Sequence, residues 1–255
     1  MPTLFVSLFA YAAAKHAETV KRSWPEWVAF WRANPASSPW LGFRSLAEAT
    51  ARGEETQDYV SGAVLVTKAR SKAAGLFLSS GADVWLTLDD DVFVDGGIIH
   101  RLLTACRETR AIVSAPCVLR SGSAMNFGVL DHEVTESSAG LLAHATRTGL
   151  AAVAMHRDAV LAAAAREPWV EDGGVRYPAL FRETLDPIEG SQDVTWTSED
   201  YAFSDKARAV GVPIYLLLDA ATDHAGRRSK VLGPEGPGGM LRVLVGDEET
   251  AESMG

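Results

Sequence analysis

A chain of 255 residues that is 47% hydrophobic and 22% charged has ordinary globular usage, which excludes a wholly disordered protein. Its net charge of −9 and isoelectric point near 5.2 exclude a global basic field of the kind that draws proteins to nucleic acid. No apolar run approaches the roughly 20 residues a membrane helix needs. The two cysteines, Cys106 and Cys117, make neither a disulfide framework nor a zinc site, and are expected as reduced, buried thiols of a cytoplasmic protein.

Helical and strand-like segments alternate along the chain, as in an α/β protein, and no internal repeat is visible. Residues 3–10 read as a first strand. A helix is expected over 12–22, and a second is announced by the capping box Ser23-Trp24-Pro25-Glu26, with Trp27, Phe30 and Trp31 at helical spacing behind it. Ser45-Leu46-Ala47-Glu48 opens a short helix that ends at Gly53. Residues 68–80 read as a helix closed by Gly81. The nearly continuous apolar run 84–88 has the pattern of a central strand in a parallel sheet. It ends in the triplet Asp89-Asp90-Asp91. A helix over 97–108 and a strand over 111–115 follow, then strands near 127–130 and 150–155 and an Ala-rich helix over 158–166. Residues 167–197, rich in Gly, Pro and aromatics, are expected to be an irregular binding loop. Ser198 caps a helix over 199–210 that Gly211 ends, and residues 213–218 form a buried strand leading to Asp223-His224. The basic cluster Arg227, Arg228 and Lys230 and the Gly/Pro run after it read as a mobile lid over 227–239. The final stretch is expected to be a tail whose last residues are disordered.

Three features carry chemistry. Adjacent carboxylates at the end of a buried strand repel one another unless a cation offsets the charge, and hard oxygen ligands suit Mg²⁺ or Mn²⁺. The spacing after Asp91 excludes a calcium loop of the EF-hand type, since Phe93 and Leu102 would stand at ligand positions. Glu199 and Asp200 open a helix, where acids also complement the helix dipole. His224 lies just past an apolar strand, with the basic cluster following. Trp196 stands beside the acidic pair.

The ordered set of these blocks resembles GT-A-fold glycosyltransferases. The segment 67–91 is similar to their nucleotide-sugar half with its acidic "DxD" strand end, 197–215 to the "ED" helix, glycine and strand of inverting members, and Asp223-His224-Ala225-Gly226 to the histidine that completes the metal site. The resemblance covers residues 60–230. It implies one GT-A (Rossmann-like) domain over 1–232, with a mostly parallel central sheet flanked by helices. Residues 1–130 would mainly bind the nucleotide sugar and 131–232 mainly the acceptor, and 233–255 would be the tail. It implies that Asp89, Asp91 and His224 hold Mn²⁺ or Mg²⁺. Asp200, with Glu199 as its neighbour, would be the general base. Asp89, Asp90 and Arg70 would lie near the nucleotide, and Arg227, Arg228 and Lys230 near its diphosphate. The expected reaction moves a sugar from a nucleotide donor, with UDP-sugars favoured, to an acceptor hydroxyl with inversion. A saccharide is the default acceptor and a hydroxymethylated DNA base the alternative. A metal-dependent phosphohydrolase or nucleotidyltransferase, or a non-catalytic nucleotide- or glycan-binding module, are the competing readings. No dinucleotide fingerprint is present: the glycines after 232 follow no apolar strand pattern and are interleaved with prolines.

Overall fold

The computed structural model describes residues 4–9, 66–89, 92–118, 127–224, 227–233 and 241–247. The expected helix over 12–22, the helix opening at Ser23 with its Trp27 stripe, the short helix ending at Gly53, and Asp90 and Asp91 lie outside the described residues. In chain order the elements are strand β1 (Leu4–Phe9), helix α1 (Val66–Ser80), β2 (Val84–Asp89), β3 (Val92–Phe93), α2 (Gly96–Thr109) and β4 (Ile112–Ser114). Then come β5 (Phe127–Ser137), β6 (Gly140–Thr148), β7 (Ala152–His156), α3 (Arg157–Ala164), β8 (Trp169–Asp172), β9 (Val175–Pro178), β10 (Thr184–Pro187) and β11 (Val194–Thr197). The chain continues with α4 (Glu199–Ala209), β12 (Ile214–Leu217), β13 (Ala221–His224), β14 (Arg227–Leu232) and β15 (Arg242–Asp247).

Local chemistry sets many of these boundaries. Asp95 caps α2 by accepting from the Ile98 amide at 2.9 Å. Gly81 and Gly211 take left-handed φ values of 76° and 78° just past α1 and α4, conformations that a Cβ disfavours. Ser198 holds the N-cap position of α4 with an extended backbone, but its side chain makes no capping bond.

The seven-stranded sheet has the order β1-β2-β7-β4-β12-β6-β5. Only β1/β2 and β4/β12 pair in parallel; β7 runs antiparallel to both β2 and β4, and β6 antiparallel to both β12 and β5. The sheet is therefore mixed, which corrects the expectation of a mostly parallel one. The continuous apolar runs at 84–88 and 152–155 reflect burial on both faces, and such burial looks the same whichever way a strand points.

Side chains alternate across the sheet between two cores. Val84, Leu86 and Leu88 face α2, packing with Ile99, Leu102 and Leu103. Trp85 faces the other side, where Phe77 of α1, Val160 of α3 and Phe203 of α4 gather with Phe181. The Trp85 indole donates to the Ser7 hydroxyl at 2.7 Å and so ties β1 to β2.

One further expectation is corrected, and two segments show more order than their composition suggests. Residues 167–197 form two antiparallel hairpins, β8/β9 and β10/β11, rather than an irregular loop. Gly173 and Gly174 both take positive φ in the two-residue turn between Asp172 and Val175, which is the backbone that closes a tight hairpin. The expected lid begins as β14, which pairs with β13 on one side and β15 on the other. Within the expected tail 233–255, Arg242–Asp247 is a strand of the same four-stranded sheet, β15-β14-β13-β3. Its partner β14 lies inside the 1–232 span, so ladder bonds cross the expected boundary.

Candidate functional site

Helix α1 starts where β2 ends, and α4 starts at the same edge, because β2 and β12 point the same way through β7 and β4. Strand carboxyl ends and helix amino ends thus meet along one rim, the usual place for a ligand crevice in an open α/β sheet. Arg70 of α1 reaches into this rim and is almost wholly buried. Its Nη1 donates to Glu199 Oε1 at 2.6 Å and to Asp200 Oδ1 at 2.5 Å. Its Nη2 donates to both oxygens of Asp89, at 3.0 and 3.1 Å. One guanidinium therefore joins the end of β2 to the start of α4. The second oxygen of Asp200 accepts from the Leu150 amide at 3.3 Å.

The charges set one another's protonation. Burial by itself disfavours the Arg70 cation, but Asp89, Asp200 and Glu199 together raise its pKa above the ordinary arginine value. Burial raises the Glu199 carboxyl to about 7; the Asp200 charge adds to the rise and Arg70 opposes it. The first turn of α4 thus carries a group that exchanges a proton near neutrality, as general bases require.

His224 ends β13 and pairs across the ladder with Val92, the residue that follows Asp91. Its Nδ1 lies 2.6 Å from the Val118 carbonyl oxygen. A carbonyl can only accept, so Nδ1 carries the proton and Nε2 is the basic nitrogen of the ring. Arg227 stands opposite His224 in β14, Arg228 opposite Asp223, and Lys230 opposite Ala221, further along the strand.

The structure brings Arg70, Asp89, Glu199 and Asp200 into direct contact and places His224 in a separate ladder beside β3. Among the described residues no group of three or more His, Cys, Asp and Glu side chains is arranged to hold a metal ion. The part of Arg70 as the centre of the acidic cluster was missed from sequence, where it was expected near the nucleotide. A signal existed: Arg70 shares the face of α1 that carries Ala73, Ala74 and Phe77, and a cation on an apolar stripe demands buried anions. The hydroxyl network behind the site was also missed. Thr148 donates to Ser114 at 2.7 Å, and the Ser204 hydroxyl accepts from the Thr148 amide and donates to the Asp200 carbonyl at 2.9 Å, which anchors the first turn of α4 to β6.

No family model matches this chain, and no curated protein matches it. Among solved structures the chain is similar to that described as "Crystal Structure of A197 from STIV", at 14% identity and a TM-score of 0.46, covering 88% of this chain and 85% of that one. No described helix is long and apolar enough to cross a membrane.

Proposed function

We propose that this protein is a metal-dependent inverting glycosyltransferase that takes a nucleotide sugar, with UDP-sugars favoured, and transfers the sugar to an acceptor hydroxyl. The observation that carries this reading is the meeting of Asp89, Glu199 and Asp200 on Arg70 at the carboxyl rim of the sheet. It joins the expected donor block and the expected base block in one place.

On this reading a divalent cation would be held by the residues that the family resemblance names. The protonated Nδ1 of His224 leaves Nε2 as the nitrogen of ligating type. Asp89, Asp91 and His224 would hold the ion. When bound, the ion supplies Lewis-acid stabilisation of charge developing on the departing diphosphate. Arg70 fixes Asp89 relative to α4, so the donor-side and acceptor-side carboxylates keep one geometry. Either Glu199 or Asp200 accepts the proton of the attacking hydroxyl. Burial favours Glu199, whose carboxyl titrates near neutrality, while both oxygens of Asp200 already accept hydrogen bonds. Attack from the face opposite the diphosphate inverts the anomeric carbon.

The test is thermal unfolding of the full chain with UDP-glucose, UDP-galactose, UDP-N-acetylglucosamine and GDP-mannose, each with and without Mn²⁺. A donor at 100 times its Kd stabilises by about 2.7 kcal/mol, and that gain should require Mn²⁺. A flat response to every nucleotide sugar refutes the reading.

A further inference from the structure

The hairpin that leads into the acidic pair carries its apolar residues on an exposed face. In β10/β11, Thr184, Asp186, Thr195 and Thr197 share one face, and Leu185, Pro187, Val194 and Trp196 share the other. On the polar face Thr197 is buried and its hydroxyl donates to Asp186 at 2.5 Å, Thr184 and Asp186 are half-buried, and Thr195 is exposed. The apolar face turns to solvent, with Trp196 65% and Leu185 58% exposed and directly opposite each other in the register. Ile188, in the turn, is exposed as well. A contiguous apolar face in water marks a binding surface, and this one ends at Trp196, in the strand that leads to Glu199.

Charge narrows what it binds. Residues 183–197 hold four carboxylates, Glu183, Asp186, Glu189 and Asp193, and no Lys, Arg or His. Glu183 enters the hairpin, and Glu189 and Asp193 flank its turn. The cation that reaches Asp186 electrostatically, Arg147, is already paired with Asp205. Such a rim repels phosphate backbones and anionic lipid, and it repels a second copy of itself. It suits a ligand with an apolar flank and many uncharged donors. A neutral saccharide has both: the C–H face of a pyranose ring covers the indole, and its hydroxyls donate to carboxylates, which only accept.

We propose that the β10/β11 face, centred on Trp196 with Leu185 beside it, is the platform that binds a neutral saccharide acceptor. This rests on the glycosyltransferase reading above and deepens it by naming the acceptor class, against a base in DNA.

The test is isothermal titration of the full chain with cellotriose, maltotriose and tri-N-acetylchitotriose, and with trigalacturonate as the anionic counterpart. At least one neutral trisaccharide should bind, and Trp196→Ala should weaken it by about tenfold or more, whereas Trp196→Phe, which keeps a ring, should stay within about threefold. Two controls at exposed apolar residues off the hairpin, Leu161→Ala and Trp169→Ala, should bind like the parent; the Trp169 ring is already covered by Arg176. Trigalacturonate should bind about tenfold more weakly than the best neutral probe. Any of four results overturns the platform: no neutral trisaccharide binds, Trp196→Ala binds like the parent, trigalacturonate binds equally well, or Trp196→Ala abolishes a dimer or binding to phosphatidylcholine vesicles. UDP-glucose with Mn²⁺, titrated into the same samples, separates the two ideas. Donor binding without saccharide binding removes the platform alone, and saccharide binding without that of any nucleotide sugar removes the transferase reading and leaves a glycan-binding surface.

Discussion

Replacing Arg70 by methionine keeps most of the side-chain volume and removes the charge. The structure gives the guanidinium four bonds to three carboxylates at 2.5 to 3.1 Å, from a side chain that is 5% exposed. At an effective dielectric constant near 20, one such attraction is about 4 kcal/mol at 4 Å, and desolvation of the four groups offsets much of the sum. The variant is left with Asp89, Glu199 and Asp200 facing one another, and breaking a buried pair from one side costs about 3–5 kcal/mol. For a chain of this size that lowers Tm by about 6–20 °C. The loss depends on pH in a defined direction. Glu199 already titrates near 7, and without Arg70 it holds its proton still higher, which relieves part of the repulsion at acidic pH. Urea unfolding of Arg70→Met and parent at pH 5.5 and 8.0 should therefore show the larger deficit at pH 8.0. A deficit under about 1 kcal/mol at pH 8.0, or one that is equal at both pH values, would refute the view of Arg70 as the charged centre of the rim.

Glu199 makes a second pH prediction. Its folded pKa is raised above the unfolded value of 4.5, so its contribution to stability is complete below that value and is lost as pH rises through about 7. The groups that face it are Asp200 on its own helix, Arg70 from α1, and Asp89 across that arginine. Glu199→Gln should flatten the stability profile between pH 4.5 and 7 in urea titrations, and a profile as steep as the parent's would disprove the assignment. Under the proposed function, Asp91→Asn should weaken Mn²⁺ and nucleotide-sugar binding together in titration calorimetry, since an amide is a poorer ligand for a hard cation. Glu199→Gln and Asp200→Asn should leave donor binding within a few-fold, and the one that is the base should lower transfer by about 10²–10⁴ in a UDP-release assay. Gly75→Ala should destabilise despite alanine's better helix propensity. A Cβ there would sit 2.5 Å from Tyr177 Cβ and 2.6 Å from the Arg176 carbonyl oxygen, so α1 must move off β9 at a cost of about 1–3 kcal/mol in chemical unfolding.

Legibility in the sequence followed the range of the physics. Signals local to one segment were readable: the strand ending at Asp89, the glycine stops at Gly81 and Gly211, and the helix opening at Glu199. Strand direction was not, because β7 is buried on both faces and its apolar run carries no mark of antiparallel partners. The β8/β9 hairpin was within reach, since Gly173-Gly174 between short strand-like runs is a turn signal that the bulk composition of 167–197 obscured. The β13–β15 ladder was not, since β14 is basic at its start and gains strand identity from the neighbours that pair with it. In the site, the acids were found as motifs, but their meeting on Arg70 depends on how α1 and α4 are set against the sheet. The sequence places Trp196 beside the acidic pair without deciding its exposure, which the register of the hairpin sets.

The spacing of Arg70 and its partners along the chain has a consequence for how the protein is made. Asp89 is 19 positions from Arg70, but Glu199 and Asp200 are 129 and 130 positions away. During synthesis the arginine has one anionic partner from the translation of Asp89 until that of Glu199, and the other two arrive only with α4. A buried cation with one partner is poorly compensated, so α1 cannot settle against β2 in its final position until the last third of the chain has joined. The same bonds that fix the rim therefore make it one of the last parts of the molecule to assemble. The β1, α1 and β2 segment and the α4, β12 and β13 segment depend on each other for a finished site, and neither half carries it alone.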